Sequence, residues 1–239
     1  MTNKEIIDQQ VVDHISNSSW FREVDTRLIA ELVEGARIRR YAPDEFIYLT
    51  GDTQTHVFFI LDGRVKISLM SHNGEEFVMT MWEHGMWFGE SGFLEDATMP
   101  LEARALNDVT LLAVPNVLLD RLMRNDPKYY RNILHDTIRR STQLYRLIDL
   151  LLFKPLRVRV VARMLQLVEL FGEKDGSEII LPLRISQADF ARMSGGSRQR
   201  INKVFRQWAA DGIVSKKGRS HIVHDLDALR AQLEVKDDD

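Results

Sequence analysis

The spacing of hydrophobic positions changes character along the chain, and each change marks an element. The first forty residues carry helical spacing: IIDQQVVDHI, then residues 26–35 with Leu28, Ile29, Leu32 and Val33 on one face, predict short helices. From about Tyr41 the period becomes strand-like. Val57-Phe58-Phe59-Ile60-Leu61 is a continuous apolar run, Val65, Ile67 and Leu69 alternate with Arg64, Lys66 and Ser68, and residues 77–82 form another run. Asp62-Gly63 and Asn73-Gly74 separate these runs, and such pairs favour tight turns with positive φ, predicting two antiparallel hairpins. Glycines 51, 85, 89 and 92 punctuate the region, and residues 103–114 supply one or two more strands. Many short strands with regular turns predict a small all-β barrel or roll.

Pro115 ends the β pattern, and a short helix is predicted over 116–124. Asn125-Asp126-Pro127 reads as a cap with proline at the first helical position, followed by a helix to about residue 152. Within it Tyr130, Leu134, Thr137, Ser141, Leu144, Ile148 and Leu151 recur in steps of four and three, a heptad seam softened in its middle by Thr137 and Ser141. A second stripe, Ile133, Ile138 and Tyr145, is expected to pack on the chain's own β domain. The seam is either one edge of a wide intramolecular face or a homodimer contact. The second is favoured, because the β domain covers only one side. Phe153-Lys154-Pro155 marks a hinge, since proline inside a helix costs about 3 kcal/mol. A helix over 156–171, stopped by Gly172, a polar turn over 173–177 and a strand over 179–183 follow. The expected organisation is α+β: residues 1–126 a β domain, 127–154 a dimerisation helix and hinge, 155–239 a separate domain.

Composition sharpens this picture at two points. There is no cysteine, which excludes disulfides, thiolate-held zinc or iron–sulfur clusters and a cysteine nucleophile. Net charge is −3, yet residues 184–219 hold nine Lys/Arg and two acids, a local +7 that leaves −10 elsewhere. A basic module on an acidic body is the electrostatic footprint of DNA binding. The first twenty residues lack an apolar signal region, and the greasiest stretch, 147–153, is short and broken by Asp149. A cytoplasmic protein with no membrane partner is expected.

Inside the basic segment the pattern is specific. Ser186 can cap a helix over 187–193 whose third residue is Asp189, a variant of the capping box. Ser194-Gly195-Gly196 forms a tight turn and Ser197 caps a second helix over 197–210, in which Ile201, Val204, Phe205 and Trp208 make the buried face. Gln199, Lys203 and Arg206 lie opposite that face, flanked by Arg198 and Arg200. Asp211-Gly212-Ile213-Val214, Ser215-Lys216-Lys217-Gly218-Arg219 and Ile222-Val223 read as a β-hairpin wing with cations at its tip. The whole is a winged helix-turn-helix. Arg198, Gln199 and Lys203 are the candidates for base readout, because Arg pairs bidentately with guanine and Gln with adenine; Lys203 reaches either guanine or a phosphate. Ser197, Arg200, Arg206, Lys216, Lys217 and Arg219 are the candidate phosphate contacts. A dimer would read a pseudo-palindromic double-stranded operator with half-sites about 10 bp apart.

With Gly51-Asp52, the run 57–63, Gly85 with Phe88-Gly89-Glu90, Ala103-Arg104-Ala105, the long helix, and Ile185-Ser186-Gln187-Ala188-Asp189 through Gly196-Ser197-Arg198-Gln199, the chain resembles the cyclic-AMP receptor / fumarate-nitrate regulator (CRP/FNR) family of bacterial transcription factors. The resemblance covers about residues 20–230. It implies an N-terminal cyclic-nucleotide-binding-type β-roll, a central dimerisation helix, a C-terminal winged helix, control by an effector in the roll and RNA polymerase as a partner. It places the effector pocket at Gly89, Glu90, Met99, Pro100, Leu144 and Tyr145, with Glu90 at the ribose-binding position. Here the sequence departs from the family. The phosphate-binding Arg-Ser or Arg-Thr pair is Met99-Pro100, Arg104 matches a different, structural arginine, and the adenine-contacting Thr-Ser pair falls near Leu144-Tyr145. A buried phosphate without its cation is disfavoured, so cyclic AMP and cyclic GMP are not the expected effectors. Iron–sulfur sensing is excluded by composition. Haem through His72 or His84 is not expected, since both sit near turns. Trp82, Trp87, Phe88, Met81 and Met99 either surround a small apolar effector or are plain core.

No catalytic or metal constellation emerges. Gly89-Glu90-Ser91-Gly92 lacks the spacing of a nucleophile elbow, and His221 and His224 fall on opposite faces of a strand. The alternatives to an effector-modulated DNA-binding regulator are a signalling module that acts through protein contacts and a regulator that does respond to cyclic nucleotide. Effector identity, operator sequence, target genes, and activation as against repression stay open.

Overall fold

In the computed structural model, described over residues 9–93, 98–218 and 220–234, the chain divides into two units, 1–142 and 143–239. The first is built on two four-stranded antiparallel sheets. Strands β1 (Arg37–Tyr41), β3 (His56–Asp62), β6 (Trp87–Phe88) and β8 (Val109–Pro115) form one in the order β1-β8-β3-β6; β2 (Phe46–Tyr48), β4 (Arg64–Met70), β5 (Glu76–Glu83) and β7 (Glu102–Ala105) form the other in the order β2-β7-β4-β5. Successive side chains on a strand point to opposite faces, and β3 shows why its run is apolar throughout. Phe58 and Ile60 enter the core between the sheets with Val65, Ile67, Ala103, Leu111 and Phe88. Val57 and Phe59 enter a second core with Trp20, Phe21, Trp87 and Tyr129. Helices α1 (Gln9–Ser16), α2 (Thr26–Gly35) and α3 (Asn116–Asn125) supply Ile15, Ile29, Leu32 and Leu119 to that second core. Full burial of each such aliphatic or aromatic side chain stabilises by roughly 1.5–3 kcal/mol.

One expected hairpin is absent. Asn73-Gly74 does turn β4 into its partner β5, whereas β3 and β4, on either side of Asp62-Gly63, belong to different sheets. Gly63 (φ +88°) is a corner between sheets, and a Cβ there would lie 2.3 Å from the Asp108 carbonyl oxygen. Local turn chemistry is the same at both sites; the long-range pairing of β3 with β8 decides the outcome.

The long helix α4 (Lys128–Phe153) contains the boundary between the units. Asp126 starts it: its carboxylate accepts the Lys128 N–H at 2.9 Å, and Arg131 N–H already donates to Pro127 O. The expected roll-facing stripe holds only at Ile133; Ile138 and Tyr145 are exposed. The face that meets the roll is instead polar. Tyr129, Asn132, Asp136 and Arg140 recur at helical spacing, and Asn132 and Asp136 are buried. Among the seam residues Tyr130, Leu134, Leu144 and Ile148 are exposed large hydrophobics, Thr137 is exposed, and Ser141 and Leu151 are half-buried.

The second unit packs helices α5 (Leu156–Phe171), α6 (Gln187–Ser194), α7 (Arg198–Ala210) and α8 (Leu226–Ala231) with a sheet of order β11-β12-β10-β9. Its strands are β9 (Glu173–Asp175), β10 (Glu178–Leu181), β11 (Val214–Lys217) and β12 (Ser220–Val223). β9 corrects the polar turn expected at 173–177. Its residues are exposed and charged, so hydrophobic period does not reveal them, but the hairpin through Gly176 (φ +61°) pairs them with β10. Phe190, Ile201, Trp208, Met164, Val160 and Leu229 fill the core of this unit.

Candidate nucleic-acid interface and sensor site

The helix-turn-helix is assembled by local bonds. Ser186 Oγ accepts the Asp189 N–H at 3.2 Å, and Asp189 accepts the Ser186 N–H at 2.7 Å, completing the capping box. Burial opposes ionisation of Asp189, but the Ser186 bonds and the Arg192 guanidinium, 2.5 Å away, outweigh it and hold the carboxyl below its ordinary value. Gly195 ends α6 in the left-handed region at φ +60°. Gly196 follows under Leu156, whose Cδ1 would lie 2.5 Å from any Cβ there. The turn therefore tolerates little at either position. Buried Arg163 of α5 donates to the Met193 carbonyl at 2.8 Å, so the C-terminus of α6 is held by a cation, and burial lowers that arginine's pKa to about 10.

Ser197 caps α7 through the Arg200 N–H, at 3.4 Å. Ile201, Phe205 and Trp208 are buried, Val204 half-buried. Phe205 meets Phe190 edge-on at 4.9 Å, and Trp208 donates to Gln232 Oε1 at 2.7 Å. That packing turns the opposite face outward. Gln199, Asn202, Lys203, Arg206 and Gln207 line an open groove of about 410 Å³. Arg198 and Lys216 converge with Ser186, Gln187 and Ala188 on a second one of about 340 Å³. The structure thus places Ser197 at the cap, Arg198, Gln199, Arg200 and Lys203 in the first two turns and Arg206 in the third turn of one helix, with Lys216 and Lys217 on the adjoining hairpin. Arg219 lies outside the described residues. Asn202 and Gln207 went unnoticed in the sequence, although steps of three and four from Gln199 and Lys203 put them on the same face.

Two histidines of the wing part company. His221 is buried against Phe190 and Phe205, and burial followed by the nearby Lys216 lowers its pKa to about 4. His224 is half-exposed between Glu178 and Ser215.

In the first unit, Gly89 (φ +91°) packs under Phe58, and Glu90 opens a short 3₁₀ turn over Glu90–Phe93. Met99 is buried, and its backbone bonds to Gly51 and Asp52; Pro100 is exposed. Leu144 and Tyr145, in the second unit, are exposed. The cation nearest Glu90 is one the sequence reading missed. Arg140 donates to Glu90 at 3.3 Å, to Asp136 at 2.7 Å and to the Trp87 carbonyl at 2.5 Å, and lies 4.6 Å over the Trp82 ring. Asp136 also accepts from Trp20 Nε1 at 3.0 Å and Arg139 at 2.6 Å. Burial raises its pKa, but Arg140, the Trp20 bond and Arg139 more than reverse this, leaving the carboxyl depressed. Tyr48 beneath Glu90 is held neutral by burial. Among the described residues no helix is long and apolar enough to cross a membrane, and no three His, Asp or Glu side chains gather as a metal site.

Residues 38–126 match the cyclic nucleotide-binding domain family, and residues 158–232 the Crp-like helix-turn-helix domain family. The chain is 22% identical to a CRP-like cAMP-activated global transcriptional regulator of Mycobacterium tuberculosis, covering 90% of this chain and 96% of that one. It is 23% identical to a global nitrogen regulator of Synechocystis, over 95% and 99%. In fold it is similar to FixK2 of Bradyrhizobium japonicum, with a TM-score of 0.74 at 20% identity over 84% and 99% of the two chains. It is likewise similar to a CooA mutant of Carboxydothermus hydrogenoformans, with a TM-score of 0.72 at 22% identity over 91% and 93%. With a β-roll of the cyclic nucleotide-binding domain family followed by a Crp-like helix-turn-helix, the chain belongs to the CRP/FNR family of DNA-binding transcriptional regulators.

Proposed function

We propose that the protein is a homodimeric, sequence-specific regulator that reads a pseudo-palindromic operator with α7. The observation that carries this reading is the array of cations on α7 and the wing. Arg198, Arg200, Lys203, Arg206, Lys216 and Lys217 have no counter-ion or side-chain hydrogen bond among the described residues. The N-terminal part of α7 enters the major groove, where Arg198, Gln199 and Lys203 meet base edges. Ser197, Arg200, Arg206 and the wing lysines fix register on phosphates. The exposed Tyr130, Leu134, Leu144 and Ile148 support dimerisation through α4, which sets half-sites about 10 bp apart. Selection of bound DNA from a random pool at physiological salt tests this: enrichment of a palindrome is expected, and a pool without one contradicts it.

The roll takes an effector other than a cyclic nucleotide. The position of the family's phosphate cation is filled by Met99 and Pro100, the first of them buried, and Glu90 is engaged by Arg140. Saturable cyclic AMP binding at micromolar concentration, read by calorimetry, would overturn this part alone. Action in the cytoplasm with RNA polymerase as a partner, and no catalytic activity, complete the reading.

A further inference from the structure

The wing sheet has two unlike faces. Register places Leu181, Val214, His221 and Val223 on one, all buried, with Lys216 beside His221. The other carries Ser215 and Lys217 from β11, Ser220 and the buried Ile222 from β12, Glu178 and Ile180 from β10, and Asp175 and Glu173 from β9, Asp175 being directly opposite Glu178. His224, the residue after β12, closes this second face. Its Nδ1 lies 2.7 Å from Glu178 Oε1, and its Nε2 2.7 Å from Ser215 Oγ. A carboxylate only accepts, so Nδ1 carries a proton in either charge state. In the neutral ring Nε2 is a lone pair and the Ser215 hydroxyl must donate to it. In the imidazolium Nε2–H donates to Oγ, and the hydroxyl proton is released to donate elsewhere.

We propose that Ser215 is a further DNA-backbone contact, and that His224, held by Glu178, positions it by releasing its hydroxyl when the ring is protonated. The inference rests on the DNA-binding reading above. Ser215 and Lys217 share a face two residues apart, about 7 Å along the strand, so a phosphate held at Lys217 is within reach of the Ser215 hydroxyl. The charged groups around His224 are Glu178, its cross-strand neighbour Asp175, Lys217 on the same face, and Asp225 next in the chain. Because only the charged ring frees the Ser215 hydroxyl for a phosphate, DNA binding is linked to proton uptake at His224 in each protomer. His221 contributes nothing to this linkage near neutrality, since burial keeps its ring uncharged.

The test is the affinity of the full chain for mixed-sequence duplex DNA at pH 6 and pH 8 and constant ionic strength. Unaltered protein should bind about three- to tenfold more tightly at pH 6. Ser215→Ala should weaken binding at pH 6 and leave it unchanged at pH 8. His224→Gln should bind with the same affinity at both, with thermal unfolding confirming that each variant is folded. Tight binding that ignores pH, a slope retained in His224→Gln, or Ser215→Ala indistinguishable from the parent would each overturn the proposal while leaving the DNA-binding reading intact. No DNA binding at either pH would overturn both.

Discussion

Many cations of the first unit are tied to carboxylates of their own chain, whereas those on α7 and the wing are not. In the first, Arg104 pairs with Asp44, Arg131 with Glu23, Arg124 with Asp120, Arg139 with Asp136, Arg140 with both Asp136 and Glu90, and Lys66, inside the sheet, with Glu76. On α7 and the wing, six cations stand close together with no carboxylate within 4.0 Å among the described residues. Paired cations belong to the fold's own electrostatics. Unpaired ones repel each other, and only a partner outside the chain relieves that repulsion. A count of basic residues treats both groups alike; the pairing separates them.

The comparison has its largest consequence if two α7 arrays act on one DNA. Charging the α4 seam with Leu134→Asp and Ile148→Asp should produce a monomer and lower operator affinity by about 10²–10⁴-fold, since the second half-site is then no longer bound intramolecularly. Sedimentation and gel-shift titration measure the two effects. A dimer that persists would return the seam to the status of an intramolecular face.

Substitution within each array should then divide stability from recognition. Asp136→Ala leaves Arg140 without its closest carboxylate in a buried site and should destabilise the first unit by about 3–5 kcal/mol, with base preference retained in whatever fraction stays folded. Because the Asp136 carboxyl is depressed, its contribution is complete above the ordinary aspartate pKa of about 4 and is lost as pH falls below it. The stability gap between the parent and Asp136→Ala should therefore narrow below pH 4 in thermal unfolding. Arg198→Ala should do the reverse. It should leave the melting temperature within a degree or so of the parent's, as expected for a surface change, and cost about 1–3 kcal/mol in operator binding, with loss of discrimination at one base pair per half-site. Uniform weakening on every sequence would move Arg198 to the phosphate contacts.

What the sequence disclosed follows the range of the interactions. The helix-turn-helix was legible because its determinants are local: the Ser186–Asp189 box, the left-handed Gly195, the Ser197 cap and the buried spacing of Ile201, Phe205 and Trp208 all lie within a few residues of each other. The apolar run of β3 was legible because both its faces are buried. Its partner was not, since Phe58 pairs with Ala113 and the Asp62-Gly63 turn looks locally like any hairpin. The polar row Asn132, Asp136 and Arg140 was hidden for the same reason. Its partners Trp20, Trp87 and Glu90 are 50 or more residues away, and hydrophobic period marks such a face as exposed. The sensor end is thus specified by distant pairs and the DNA-binding end by neighbours.

The smallest expected effect isolates a single phosphate contact. Lys217 sits at the end of β11 with both its neighbours exposed and no carboxylate partner among the described residues. Lys217→Ala should leave the fold and the selected operator unchanged, because a phosphate contact carries no base information. Each phosphate neutralised contributes about 0.9 to the slope of log K against log salt. A dimer that loses one contact per protomer should therefore show a slope shallower by about 2, with only a several-fold loss of affinity at physiological salt. Glu23→Gln, which removes the carboxylate partner of Arg131 in the first unit, provides the matched control, since a cation outside the DNA-binding unit should leave that slope where it was. If both variants changed the slope equally, the distinction between paired and unpaired cations would have no bearing on DNA. A shift in Lys217→Ala alone would tie the slope to the wing.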